Sequence, residues 1–136
     1  MYHLAYLISF LPFSLLYALS DIAYIIMYHV VRYRRRIVRH NLTTSFPEKS
    51  LDEIKLIERK FYHWFCDYFI ETVKLLSISD NELRRRLKIV GAEQIEQHFE
   101  AGQDCAALLG HYCNWEWMSC TGIAFPEGRK MGLVYK

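Results

Sequence analysis

The sequence predicts an α/β fold: an N-terminal membrane-associated helix or hairpin, followed by the first part of an α/β domain with a mostly parallel sheet. Three observations predict it. The first 31 residues are almost entirely apolar or aromatic. Short apolar runs typical of strands then alternate with segments of helical periodicity. A strand, a helix and a second strand in succession favour a parallel pair joined by a right-handed crossover. The predicted organisation is a membrane anchor over 1–31, a basic juxtamembrane linker over 32–49, and the N-terminal part of the α/β domain over 50–136.

The composition gives no sign of a nucleic-acid-binding protein or of a disulfide-bonded one. Hydrophobic residues make up 52% of the chain and the formal net charge is +2, so nothing indicates a nucleic-acid partner. The four cysteines show no C-x-x-C pairing, and a cytoplasmic location would keep them reduced.

The apolar N-terminal segment has two possible arrangements. A helix needs about 20 predominantly apolar residues to cross a hydrocarbon core, and the run from Leu4 to Leu19 is shorter than that. Because Asp21 interrupts the apolar residues after Leu19, one long tilted span and a hydrophobic hairpin in one leaflet both stay open. A buried soluble helix pair fits less well because the flank is basic, and a cleaved signal peptide fits less well because no lysine or arginine precedes the apolar run.

A cluster of arginines follows the apolar segment. Its members are Arg32, Arg34, Arg35, Arg36 and Arg39. The positive-inside rule places them, and the chain after them, on the cytoplasmic side. Such a cluster also attracts an anionic leaflet by about 1 kcal/mol per basic residue. Arg35 and Arg36 are therefore candidate lipid-contacting residues, with a role in topology alone as the alternative.

Capping patterns predict the next helices. Ser50-x-x-Glu53 has the form of a capping box and begins a long amphipathic helix that reaches Leu76 and carries many aromatic residues. Its aromatic face is expected to pack in the core, and part of it could line an acyl-chain groove or rest at a membrane interface. The pattern from Ser79 to Glu82 begins a shorter helix through three arginines, which are expected to form a solvated face or, as alternatives, to contact lipid phosphates or an acidic carrier protein.

Three strands and two further helices complete the prediction. The strands are Lys88–Val90, Cys105–Leu109 and Met131–Tyr135, and the helices are Ala92–Glu100 and Trp115–Phe125. No helix follows the third strand to cover it, and a parallel sheet needs both faces buried. The 136 residues are therefore expected to be the first part of a longer protein.

The corner after the second strand holds the candidate chemistry. His111 and Glu116 are spaced as H-x-x-x-x-E, at the strand-to-helix position where open α/β sheets place their sites. With Asn114 as the cap, Glu116 lies in the first helical turn, where the helix dipole favours a carboxylate. Such a carboxylate can orient an imidazole, whose other nitrogen then takes a proton from a hydroxyl.

Other interpretations of this corner compete with the catalytic one. His111 could be a hydrogen-bonded structural residue and Glu116 a solvated anion. His111 with Cys113 could be half of a zinc site, but zinc takes about four ligands, usually as two close pairs, and no second pair is present. A covalent mechanism through Cys113 is no better supported, since residues two apart need not point the same way. The sequence predicts no metal.

Two blocks carry a resemblance to a known family. Gly110-His111-Tyr112-Cys113-Asn114-Trp115-Glu116 resembles the catalytic block of the bacterial lipid A biosynthesis (Kdo-lipid IVA type, lauroyl/myristoyl) acyltransferases. The segment from Arg35 to Leu42, followed by Ser45-Phe46-Pro47-Glu48, resembles the family's upstream block. Cys113 departs from the pattern, in which a small residue, most often glycine, is expected.

The resemblance implies a membrane-associated O-acyltransferase, of which residues 50–136 form the N-terminal part of the catalytic domain. His111 would be the general base and Glu116 its orienting partner, with Asn114, Trp115 and Cys113 lining the site. The donor would be an acyl-carrier-protein thioester, a co-substrate rather than a cofactor, and the acceptor a hydroxyl of a glycolipid. The location would be the bacterial inner membrane, with the catalytic part on the cytoplasmic side. Two alternatives stay open: a lysophospholipid or aminoacyl-lipid acceptor, and a non-catalytic membrane-associated interaction module.

Overall fold

The computed structural model describes residues 2–125 and 130–132. Within that part every regular element is a helix. The elements are α1 (Tyr2–Ser9), α2 (Phe13–Tyr24), a π-helical segment (Ile25–Val31), α3 (Arg35–Ser45), α4 (Leu51–Lys74), α5 (Asp80–Arg86), α6 (Ala92–Glu100) and a 3₁₀ helix (Trp115–Ala124). They form two compact units, an N-terminal unit (Met1–Lys74) and a C-terminal unit (Leu75–Lys136).

The predicted parallel sheet is wrong, because no strand occurs between residues 2 and 125 or at 130–132. Residues 88–90 and 105–109 lack regular structure, and Val90 and Leu108 are each 97% exposed. A parallel strand of this kind is stable only with a neighbouring strand and helices on both faces, and the described chain supplies neither to these runs. Of the third predicted strand, Met131 and Gly132 are irregular and residues 133–135 lie outside the described residues.

The capping patterns are confirmed as helix starts. The backbone N–H of Ser50 donates to Glu53 Oε2 (2.9 Å), and the N–H of Glu53 donates to Ser50 Oγ (3.4 Å). These reciprocal bonds satisfy amides that the first turn of α4 leaves unpaired. Ser79 Oγ likewise accepts from the N–H of Glu82 at the start of α5 (3.3 Å).

A helix, α3, occupies most of the segment predicted as the basic juxtamembrane linker. The chain enters it through Arg32 and Arg34, whose φ angles of +54° and +52° lie in the left-handed region. Left-handed residues end a helix by turning the chain away from its axis. The boundaries predicted at 31/32, from the end of the apolar run, and at 49/50, from the capping pattern, stay predictions.

The core of the N-terminal unit follows one row of α4, spaced four residues apart. This row consists of Ile54, Glu58, Tyr62 and Cys66, each at most 3% exposed. The aromatic face predicted to be core lies instead at the margin, with Trp64 40% and Phe69 51% exposed. Side chains four apart stack on the same face of a helix, so the buried row, not the aromatic content, marks the side of α4 that packs.

A buried carboxylate, Glu58, stands within that row. Its Oε2 accepts from Arg39 Nε (2.7 Å), and its Oε1 accepts from Arg39 Nη2 (3.0 Å) and Arg35 Nε (3.1 Å). The Arg35 guanidinium also stacks 4.2 Å from the centroid of the Tyr28 ring. Because α3 supplies both arginines and α4 the carboxylate, this ion triad fastens the two helices together.

One helical stretch of the described chain, Phe13–Val31, is long and apolar enough to cross a membrane by length and composition. It has 19 residues and a mean hydropathy of 1.5. It comprises α2 and the π-helical segment, and most of its side chains are not buried within the protein.

Candidate active site

The H-x-x-x-x-E segment lies where an irregular stretch meets the 3₁₀ helix of the C-terminal unit. Residues 103–114 have no regular structure and lead directly into the helix at Trp115. The helical side of the predicted corner is therefore present, in the tighter 3₁₀ form, and the strand side is not. The hydrogen bond from Ser119 Oγ to the carbonyl of Glu116 (2.7 Å) joins the first and second turns.

His111 is exposed and lies against the first residue of that helix. The centroids of the His111 and Trp115 rings are 4.5 Å apart with an interplanar angle of 74°, an edge-to-face arrangement. Such contacts fix ring orientation without consuming a ring nitrogen. Glu116 follows in the first turn, half-buried, where its carboxylate meets the positive end of the helix dipole. The predicted hydrogen bond between the imidazole and this carboxylate stays a prediction.

Asn114 occupies the cap position of the 3₁₀ helix, but its side chain makes no capping hydrogen bond there. The helix starts with φ −84° and ψ 70° at this residue. Asn114 therefore stands at the predicted cap position, but the predicted capping bond is absent. Its role in lining a substrate site stays a prediction.

Cys113 adopts φ +52°, in the left-handed region that favours glycine. This is the position at which the family resemblance leads one to expect glycine. The backbone turn between His111 and Glu116 thus gives a physical reason for that expectation, since a side chain on a left-handed residue crowds the following carbonyl.

We expect Cys113→Gly to be more stable than Cys113→Ala by about 1 kcal/mol, because the left-handed penalty of about 1–2 kcal/mol disappears with the Cβ while glycine loses more entropy on folding. Thermal unfolding of the two purified variants in detergent measures the difference. The alanine variant is the matched control, since it also removes the thiol. Equal stability of the two variants would contradict a strained backbone at this residue.

Gly110 precedes the histidine and has open space around it. A Cβ built at this position meets no heavy atom within 4 Å, and its φ does not require glycine. Neither the conformation nor the packing of the described chain therefore demands glycine here.

Helix α5 contacts the C-terminal end of the 3₁₀ helix. Arg84 Nη1 donates to the carbonyl of Ile123 (2.5 Å). The neighbouring Arg85 and Arg86 form exposed ion pairs with Glu82, both at 2.6 Å. Hydrogen bonds from Arg85 and Arg86 hold the pKa of the Glu82 carboxyl below its ordinary value. The charge run thus stabilises its own helix as well as facing solvent.

The two candidate arginines belong to the N-terminal unit and differ from each other. Arg35 is committed to Glu58 and Tyr28, which gives it a structural role that the sequence did not suggest. Arg36 is exposed, as are Arg32 and Arg34. A lipid-contacting role for Arg36 and Arg35 stays a prediction.

In residues 2–125 and 130–132, no group of three or more His, Cys, Asp and Glu side chains could hold a metal ion. Cys113 and Cys105 are exposed free thiols, Cys120 is half-buried and Cys66 is buried. The statement that the site holds no metal stays a prediction from the sequence.

Comparison with known families decides the identity of the chain. A profile of the family described as "Bacterial lipid A biosynthesis acyltransferase" matches residues 2–136. The chain belongs to the bacterial lipid A biosynthesis acyltransferases. The resemblance carried by the Gly110–Glu116 and Arg35–Glu48 blocks is thereby confirmed. No curated protein matches the acyltransferase chain, and no solved structure does.

Sequence reasoning missed the polar side chains of α4 that contact neighbouring helices. Glu58 interrupts an otherwise apolar or aromatic row at spacing four, which was the available signal. His63, Asp67 and Glu71 repeat at the same spacing one residue further round the helix, and all three contact α2. The prediction instead assigned the aromatic face of α4 to the core.

Proposed function

We propose that the protein is a membrane-associated acyltransferase that moves a fatty acyl group from an acyl-carrier-protein thioester to a hydroxyl of a lipid A precursor. Membership of the lipid A biosynthesis acyltransferases carries this proposal. Support also comes from the exposed imidazole of His111 beside open space at Gly110, with Glu116 in the first turn of the following helix.

In the proposed reaction, a nitrogen of His111 removes the proton from the acceptor hydroxyl as its oxygen attacks the thioester carbonyl. Glu116 orients the imidazole and stabilises the imidazolium. The tetrahedral intermediate then collapses, an oxygen ester forms, the carbon–sulfur bond breaks, and the departing thiolate takes the proton from the imidazolium. The ring of Trp115, in edge contact with His111, helps to hold the base in place.

The proposed location is the inner membrane, with the C-terminal unit on its cytoplasmic side. Acyl-carrier-protein thioesters are water-soluble donors, and the acceptor is embedded in a leaflet. An enzyme that joins them must hold its base at the membrane surface. The apolar stretch Phe13–Val31 and the exposed arginines after it support such a position.

The test is transfer of labelled acyl groups from acyl-carrier protein in membranes that contain the protein. Lipid A precursor and lysophospholipid are offered separately. Labelling of the precursor is the expected result. Labelling of lysophospholipid alone would replace the acceptor in the proposal, and labelling of neither would favour a non-catalytic membrane module.

A further inference from the structure

The apolar helix Phe13–Val31 has two unlike faces. On one, the aliphatic residues Leu15, Ile22 and Ile26 are 52%, 54% and 49% exposed. On the other, Leu16 and Ser20 are fully buried against the protein. An outward aliphatic face of this kind on a helix whose inward face is partly polar fits a lipid environment better than water.

Polar contacts join α2 to α4 between Tyr17 and Asp21. Tyr17 Oη donates to Glu71 Oε1 (2.9 Å) and Ser20 Oγ donates to Asp67 Oδ1 (2.6 Å). His63 Nε2 lies 2.9 Å from Asp21 Oδ1. At the far end, Lys74 Nζ donates to the carbonyls of Ser9 (2.8 Å) and Leu11 (3.0 Å). The two helices therefore run antiparallel as one body, and α2 cannot change depth without α4.

This pairing is hard to reconcile with a crossing. The α4 side chains that contact Phe13–Val31 include Glu71, Asp67 and His63. The Asp21 carboxylate on the apolar stretch itself is 61% exposed. Charged residues in the hydrocarbon layer are costly and rare. If α2 crossed the bilayer, α4 would cross back beside it, and its Lys74 end would emerge on the side opposite Arg32. The chain that follows Lys74 carries His111, which would then be separated from a cytoplasmic donor.

We infer that Phe13–Val31 does not cross the bilayer but lies in the cytoplasmic leaflet, with its aliphatic face among the acyl chains and α4 on its headgroup side. The occupant of that face is the anionic phospholipid leaflet itself. Charge complementarity supports this choice, because the exposed Arg32, Arg34 and Arg36 follow directly after the apolar face. The inference rests on the proposed function in one respect, the cytoplasmic origin of the acyl donor.

The test locates the N-terminus. A short hydrophilic tag with a single cysteine is placed before Met1 of the whole protein, and spheroplasts are treated with a membrane-impermeant maleimide before and after permeabilisation. A tagged periplasmic protein and a tagged cytoplasmic protein in the same cells are the controls. The reactivity of Cys66, Cys105, Cys113 and Cys120 is measured in the untagged protein and subtracted.

Labelling of the tag only after permeabilisation, as for the cytoplasmic control, is the expected result. Labelling in intact spheroplasts at the level of the periplasmic control would overturn the inference and establish a crossing helix. Because the label reports the position of the N-terminus and not turnover, its outcome is separate from that of the acyl-transfer assay. If the N-terminus is cytoplasmic and the protein transfers no acyl groups, the proposed function is refuted. The inference that Phe13–Val31 lies in the cytoplasmic leaflet is then still supported.

Discussion

Replacing His111 with alanine is expected to lower the rate of acyl transfer about 100- to 10,000-fold, the usual contribution of a general base. The acceptor hydroxyl would then lose its proton acceptor, while both substrates could still bind. The measurement is the transfer rate at saturating donor and acceptor, for wild-type and variant protein in membranes. A variant that turns over as fast as wild type would refute a catalytic role for His111.

The fold should survive this change. His111 is exposed, and the contact that orients it is the edge-to-face packing on Trp115. Substitutions at such surface positions usually alter the free energy of unfolding by less than about 0.5 kcal/mol. His98→Ala is a matched control, because His98 is also an exposed histidine of the C-terminal unit, and its Nδ1 pairs with a neighbouring amide oxygen, Gln103 Oε1 (2.7 Å). It should transfer acyl groups at the wild-type rate.

Glu116 allows the proposed partnership to be separated from a structural role. If Glu116 acts through the imidazole, Glu116→Gln lowers turnover in the wild-type background and has little further effect in the His111→Ala background, because groups that act as a unit are not additive. A residue that only stabilises the 3₁₀ helix would lower both backgrounds by the same factor.

Sequence reasoning succeeded where the signal is local. The capping boxes at Ser50 and Ser79 rest on side-chain bonds to amides three residues away, and both helices begin where these patterns predict. The family block around His111 is local as well. A chemical motif can be read from neighbouring residues even when the structure around it is predicted wrongly.

The sheet was predicted wrongly because strands depend on distant partners. Cys105–Leu109 has the composition of a buried strand, but composition only shows that burial would be favourable, and in the described chain these residues are exposed. Nor could the burial of Glu58 be read from its own neighbourhood. Its partners Arg35 and Arg39 are 23 and 19 residues away and lie on another helix. The sequence indicated Arg35 as a candidate lipid-contacting residue, with a role in topology alone as the alternative. Only the packing of α3 on α4 pairs Arg35 and Arg39 with the carboxylate.

Replacing Glu58 with glutamine is therefore expected to destabilise the N-terminal unit by about 2–4 kcal/mol, because the side chain is fully buried and its loss leaves two guanidinium groups without their carboxylate. The cost falls short of that for a wholly buried pair, since Arg35 and Arg39 are 26% and 36% exposed and can turn toward water. Hydrogen exchange of the α3 and α4 amides in detergent should become about 30-fold faster or more. Glu48→Gln is the control, since Glu48 is an exposed glutamate, and it should leave exchange unchanged.

The pH dependence of this effect distinguishes a charge interaction from a loss of shape. Burial raises the pKa of Glu58, but hydrogen bonds from Arg39 and Arg35 lower it by more, so the pKa of the folded protein lies below the ordinary value. A depressed pKa contributes stability that is present above the unfolded-state pKa, about 4.3, and is lost as the pH falls through the folded-state value. The gap between wild type and Glu58→Gln should accordingly be full at neutral pH and shrink below about pH 4. A gap that stays constant with pH would show that glutamine disturbs the packing of α3 on α4 and not an ion triad.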